Sequence, residues 1–313
     1  MIGQKMTDTT REIFDKYQIR KSRKQKTAFI KYQEELSKKL GYSYHIEKGL
    51  FGARNIVVGN PNTAKVVYTA HYDTCAVLPF PNFITPKCIL LYVLYQLLLV
   101  CAFFLVAWFF GVCAGIITVL IGANSVYIYE IIKIIYLVLV LLIFVGPANK
   151  NTANDNTSGV TLLIDIMCEL PENQRENVAF IFFDLEEAGL FGSASFAKKH
   201  KKEMKKRLLI NFDCISDGEN IIFALRKGAK TYSNAIKSAY VEKDGFKVEV
   251  TDKGIFYPSD QVQFPCGVGV AALRSTKKGL LYMNRIHTKR DIIYKEENIE
   301  FLKNGSIELL KYL

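Results

Sequence analysis

The chain contains no Cys-x-x-Cys, and its seven cysteines, at 75, 88, 101, 113, 168, 214 and 266, are scattered and odd in number. That pattern excludes a disulfide framework and a thiolate zinc site and fits a reducing compartment. The polar first 49 residues hold no short apolar core with a cleavage site, so no signal peptide is expected. There is no internal repeat and no low-complexity linker. Basic clusters at Arg20–Lys26 and Lys198–Arg207 have no aromatic platform or nucleic-acid motif beside them, so no nucleic-acid partner is expected. Solvated helix faces or an anionic membrane surface suit them better. Histidine is scarce, with four in 313 residues, which makes the place of each one informative.

The longest absence is of charge. Cys88 to Tyr129 is 42 residues without a charged side chain, roughly 63 Å if wholly helical, where a membrane span needs about 20 residues. One straight helix does not fit, and Gly111 and Gly115 are the expected bend points. A second apolar run covers Ile131–Val145, with Lys133 placed to snorkel. Residues 87–147 therefore read as an inserted transmembrane helical hairpin with a lipid bilayer as partner, dividing the remainder into 1–86 and 148–313. Net charge is +11, all of it in the polar body, with Lys87 and Lys150 at the flanks of the hairpin. The turn near 122–125 is uncharged, so the positive-inside rule places the body and both termini in the cytoplasm.

Outside the hairpin the pattern is α/β. Residues 8–18 and 25–40 read as helices, the second with Phe29, Tyr32, Leu36 and Leu40 on one face and Gly41 as its stop. Strands are expected at 42–48, 55–59, 65–70, 177–183, 208–212, 221–225, 246–251 and 268–273, with helices at 157–170, 193–200 and 297–313. The expected fold is a mixed central sheet flanked by helices and interrupted by the hairpin, with a crevice at the carboxyl ends of apolar strands.

Chemistry-bearing residues fall at those ends. They are His71 and Asp73 in His71-Tyr72-Asp73, Asp155 in Asn154-Asp155-Asn156-Thr157-Ser158-Gly159, and Glu186-Glu187 within 184–193. Asp213 follows in Asn211-Phe212-Asp213, and His287 in His287-Thr288. Imidazoles and carboxylates in this number suit a pair of Zn²⁺ ions and leave a carboxylate over for proton transfer, which indicates metal-assisted hydrolysis. His71 precedes the hairpin and the other residues follow it. One active site therefore needs an even number of spans, and two is the simplest count. Residues i and i+2 of a strand share a face, so Asp73 is expected to hydrogen-bond the imidazole of His71 and fix its tautomer.

The order and spacing of these pieces resemble the M28 family of zinc aminopeptidases, over most of the chain outside residues 88–146. The resemblance implies a zinc-exopeptidase fold, two Zn²⁺ ions and a peptide substrate with a free N-terminus. By the same resemblance Asp155 bridges the metals. His71 and Asp213 complete one metal, Glu187 and His287 the other, and Glu186 is the general base. Two other classes stay open: a glutaminyl-cyclase-like acyltransferase on the same fold, and an inactive membrane receptor or scaffold. Oligomeric state is not legible. Of the remaining candidates, His45 and His200 suit the surface, Asp217 and Asp260 suit turns, and Cys75 and Cys214 suit small core positions near the metals. Tyr257 and Tyr282 both lie on the approach to His287, and the sequence does not choose between them as oxyanion donors.

Overall fold

The computed structural model describes residues 6–122, 128–243 and 245–313. Two helices open the chain, α1 (Asp8–Tyr17) and α2 (Arg23–Lys39). The Thr7 side chain caps α1 by accepting from the Thr10 N–H, and Ser22 with Gln25 forms a reciprocal capping box on α2. Strands β1 (Tyr44–Lys48), β2 (Arg54–Val58) and β3 (Val66–His71) follow. Two long apolar helices come next, α3 (Ile89–Leu120) and α4 (Ile128–Val145). The body then resumes with α5 (Ser158–Glu169), β4 (Val178–Phe183), α6 (Phe191–Lys199), β5 (Leu208–Phe212) and β6 (Asn220–Leu225). It ends with α7 (Ser233–Ala239), β7 (Lys247–Thr251), β8 (Gly267–Ser275), β9 (Leu281–Tyr282) and α8 (Glu296–Leu309).

The strands form one mixed sheet in the order β1-β2-β4-β3-β5-β8-β6-β7, with the short β9 paired to β8. Its centre, β4-β3-β5-β8, is parallel, and β2 and β6 join that block antiparallel. Strands β3, β4 and β5 are buried along their whole length, which is why they read as continuous apolar runs rather than alternating ones. Alternate side chains still divide between two layers. Tyr68, Phe180, Phe182, Ile210 and Phe212 pack under α1, α2, α5 and α8. Val67, Ile181, Phe183 and Leu209 face Phe196 of α6 and Phe264 on the other side. Each such side chain contributes about 1.5–3 kcal/mol on burial.

The hairpin lies in the connection between β3 and α5. Its outgoing and returning tethers run antiparallel: Val77 N–H donates to Pro147 O (2.8 Å), Asn149 N–H donates to Cys75 O (3.1 Å), and Ala76 pairs with Ala148. The uncharged run is thus divided between two helices, and the turn expected at 122–125 lies, beyond Gly122, outside the described residues. Helix α3 runs unbroken through Gly111 and Gly115. Gly111 is buried against α4, where an added Cβ would lie 2.0 Å from Ile132 Cγ1. The missing side chain serves close approach of two helices, as small residues do between apolar helices. Farther along the seam Phe104 stacks on Tyr136 at 4.5 Å. Helix α3 is long and apolar enough to cross a membrane.

Candidate metal centre

The three central strands β4, β3 and β5 end side by side, and each delivers part of the site. His71 is the last residue of β3. After β4, Asp184 leads into Leu185 at φ 56°, a left-handed residue that turns the chain so that Glu186 and Glu187 face the strand ends. Asp213 follows β5 directly. Asp155 comes from the segment that leads into α5. Gly159 lets that helix start against β5, since a Cβ there would stand 2.4 Å from the Phe212 carbonyl oxygen. His287 lies in the loop after β9, itself left-handed at φ 59°.

The two imidazoles meet on Asp155. His71 Nε2 lies 3.2 Å from Asp155 Oδ1 and 3.5 Å from Asp213 Oδ1. His287 Nε2 lies 2.9 Å from Asp155 Oδ2 and 3.1 Å from Glu187 Oε2. The two oxygens of one carboxylate are thus divided between two donor sets. His71, Asp155 and Asp213 present ligand atoms all within 4.8 Å of one another, and so do His71, Glu186 and Glu187, and also Cys75, Glu187 and His287. Despite these distances His71 Nε2 makes no hydrogen bond of acceptable angle among the described residues, and Glu187 Oε1 is likewise buried without a partner among them. Lone pairs that converge in a buried space without hydrogen bonds are what a cation requires.

Electrostatics agree. Burial disfavours a charged His71, yet Glu186, Asp155, Asp213 and Asp73 hold its pKa well above the ordinary value. Burial likewise opposes His287, which Glu187 and Asp155 push upward. Burial raises the carboxyl groups of Glu186 and Glu187, reinforced for Glu186 by Asp213 and for Glu187 by Asp155. An excess of buried carboxylates over imidazoles retains protons unless divalent cations take their place. The nitrogen and oxygen donor set fits zinc.

Asp73 differs from expectation. Its carboxylate stands 3.6 Å from His71 Nδ1, beyond a hydrogen bond, and it is the backbone carbonyl of Asp73 that lies 3.1 Å from that nitrogen. Strand β3 ends at His71, so strand alternation no longer directs the residue two places on. The carboxylate instead accepts both following backbone donors of the opposite turn: Glu186 N–H on Oδ1 at 3.1 Å and Glu187 N–H on Oδ2 at 3.2 Å.

The first basic cluster is a solvated face only in part: Arg23 and Lys24 are exposed, but Arg20 and Lys26 are buried. Arg20 is fully buried, with its guanidinium donating to Tyr72 O, Tyr17 O and Thr157 Oγ1. Burial brings its pKa down to about 10 against the opposing pull of Asp73 and Asp155. Lys26 is buried in an ion pair with Asp184 at 2.7 Å. Asp260 opens a single helical turn, as expected, but is fully buried, and neither of its oxygens has a hydrogen-bond partner among the described residues. Burial pushes it up to about 7 although His71 pulls the other way. Asp217 is also buried, paired with Arg285 at 2.9 Å. His200 is half-buried, stacked on Phe196 and 2.7 Å from Glu47, whereas His45 is exposed. Cys75 and Cys214 are buried at the edge of the ligand set. Tyr257 donates to the Asp213 carbonyl at 2.9 Å, while the Tyr282 hydroxyl accepts from Arg274.

Sequence reasoning missed Asp291. Its two oxygens accept the Asn154 N–H (2.8 Å) and the Asp155 N–H (3.0 Å), which fixes the segment that carries Asp155. Burial, with Asp155 nearby, raises it to about 8. Its position four residues after His287 was the available signal.

Peptidase family M28 matches residues 141–308, more than half of the chain. The chain belongs to that family. Among solved structures, this M28 chain is similar to the LapA aminopeptidase of Legionella pneumophila, at 12% identity and a TM-score of 0.56. That match covers 96% of this chain and 66% of LapA, so the chain spans just under two thirds of that protein. It is also similar to the glutaminyl cyclases of Porphyromonas gingivalis (13% identity, TM-score 0.57) and Macrostomum lignano (14%, 0.59). Those matches cover 97% and 98% of this chain, and 98% and 90% of the respective cyclases. At such identities the likeness is one of fold. A comparison with curated proteins gave no match.

Proposed function

We propose that this M28 chain is a membrane-anchored aminopeptidase that removes N-terminal residues from peptides and holds two zinc ions. His71, Asp155 and Asp213 would hold one and Glu187, His287 and Asp155 the other. The observation that supports this most is the division of the Asp155 oxygens between two imidazoles, each with its own further carboxylate. Zinc bound there would polarise the scissile carbonyl and lower the pKa of water toward about 7. Glu186 is the remaining carboxylate. Its raised proton affinity suits a base that takes a proton from the attacking water and returns it to the leaving amine. Asp73 holds the backbone of Glu186 and Glu187 together, so one side chain positions both the base and a ligand. Beside them a cavity of about 250 Å³, bounded by Thr74, Ala76, Leu185, Ala188 and His287, has room for one substrate residue.

In this reading residues 1–86 and 148–313 form one peptidase domain, and 87–147 cross the bilayer twice. The tethers are short and hydrogen-bonded, and Tyr92 of α3 packs on Phe256 of the body at 5.9 Å, so the site faces peptides close to the membrane surface. The body and both termini lie in the cytoplasm, as the lysine flanks favour. A cysteine introduced at 124 should label from outside intact cells while cysteines at 22 and 305 stay protected. The reverse pattern overturns the orientation.

A second reading is glutaminyl cyclisation, favoured by the near-complete coverage of the cyclase structures. Purified zinc-loaded protein should be offered an aminoacyl amide and a peptide with N-terminal glutamine. Release of the free amino acid, abolished by chelation and restored by zinc, is expected. Cyclisation without any release would replace the aminopeptidase reading.

A further inference from the structure

A second cavity, of about 800 Å³, lies between the helical hairpin and the peptidase body. Its volume is within the range of ligand sites, roughly 300–1,000 Å³. Phe103 of α3 and Leu139 and Leu142 of α4 form one wall, and Leu78, Phe80 and Pro147 of the tethers form the other. Phe80 meets Phe103 edge to face at 5.7 Å, so tether and helix are packed together at its margin. Among the described residues that line it, the charged ones are Lys289 and Arg290. Both are exposed, and neither is in an ion pair among the described residues; Arg290 donates to the Asn284 carbonyl at 2.8 Å.

None of the candidate metal ligands is among the described residues that line this cavity. Val77 N–H donates to Pro147 O and Leu78 N–H donates to His287 O (2.7 Å), so its lining is tied by backbone to the loop that carries His287. What fits is a molecule with a long apolar part and an anionic head. Basic pockets beside transmembrane helices on the cytoplasmic side bind such headgroups.

We propose that this cavity is a binding site for one anionic phospholipid. Its acyl chains lie between the hairpin and the tethers, and its phosphate sits at Lys289 and Arg290. The inference rests on the hairpin lying in a bilayer. Because Leu78 is bonded to the His287 carbonyl and Thr288 lines the cavity, the lipid would brace the loop that carries His287.

The test uses the full zinc-loaded chain in detergent, with intact-complex mass spectrometry and thermal unfolding, and needs no turnover. Phosphatidylglycerol and phosphatidylcholine of equal chain length are the probes. One phosphatidylglycerol per chain should be retained and should raise the unfolding temperature. It should be preferred roughly thirtyfold, the ratio that corresponds to about 2 kcal/mol at about 1 kcal/mol per cation. Lys289→Gln with Arg290→Gln should abolish the preference, and Leu139→Trp, which fills the cavity, should abolish retention of either lipid. Lys201→Gln with Lys202→Gln, in the other basic cluster, should change neither. Equal retention of the two lipids, or a preference that survives the first pair and falls with the second, overturns the proposal. A chain that stays in the aqueous phase without detergent overturns the membrane reading and the lipid site together. A membrane-bound chain without lipid preference overturns the lipid site alone.

Discussion

Asp73→Asn should disable the site through the backbone of its neighbours rather than through His71. Both oxygens of Asp73 are in use, Oδ1 for the Glu186 N–H at 3.1 Å and Oδ2 for the Glu187 N–H at 3.2 Å. Asparagine offers one oxygen and one NH₂ group, so either orientation of the amide sets a donor against a donor. One charge-assisted bond, worth about 1.5–3 kcal/mol, is lost, and a buried N–H is left unsatisfied at about 1–3 kcal/mol. Part of this is recovered by relaxation of the turn, which leaves about 2–5 kcal/mol. Expressed in the transition state, that is a fall of roughly thirtyfold to several thousandfold in kcat/KM. The assay is release of an amino acid from an aminoacyl amide, with zinc counted by elemental analysis on the same sample. Activity should fall and one zinc, the one Glu187 would hold, should be bound more weakly than the other. Near-parental kcat/KM with two tightly held zinc ions would refute the reasoning. An equal weakening of both metals would return Asp73 to the role of orienting His71.

Glu186→Gln should lower kcat by roughly 10²–10⁴-fold with both zinc ions retained, whereas Glu187→Gln should lose metal; near-normal turnover in the first removes Glu186 from the mechanism. Gly111→Ala places a Cβ 2.0 Å from Ile132 Cγ1, so it should destabilise the hairpin by about 1–3 kcal/mol, read as a lower unfolding temperature in detergent; an unchanged temperature would show that the helices do not meet there. Asp165 is buried beneath α1, and burial raises its carboxyl from 3.8 to about 6 despite hydroxyl donors from Thr7 and Thr9. Because the folded pKa is the higher one, its contribution is full below pH 3.8 and is lost as pH rises through about 6. Asp165→Asn should therefore gain up to about 3 kcal/mol relative to the parent at neutral pH and little below pH 4; denaturant unfolding at several pH values is the measurement, and a pH-independent difference would contradict it.

Much of this protein was legible in its sequence because the signals are local and periodic. Fully buried strands must be continuous apolar runs, so β3, β4 and β5 could be placed, and with them the ends that deliver His71, Asp184 and Asp213. A charge-free stretch too long for one span had to fold back. Scarce histidines at strand and loop ends, in a set order with carboxylates, indicated the family. Tertiary structure decided what depends on direction and on distant partners. Whether Asp73 faces an imidazole or a turn depends on where β3 stops. Arg20 and Lys26 look like surface charge until the buried carbonyls and Asp184 that hold them are in place. Spacing after His287 hints at Asp291 and nothing local marks Asp260; packing shows that Asp260 is a buried carboxylate without a hydrogen-bond partner among the described residues and Asp291 the clamp on Asp155. That Gly111 admits Ile132 of the neighbouring helix shows only in the folded chain, because a contact between two helices is a property of neither one alone.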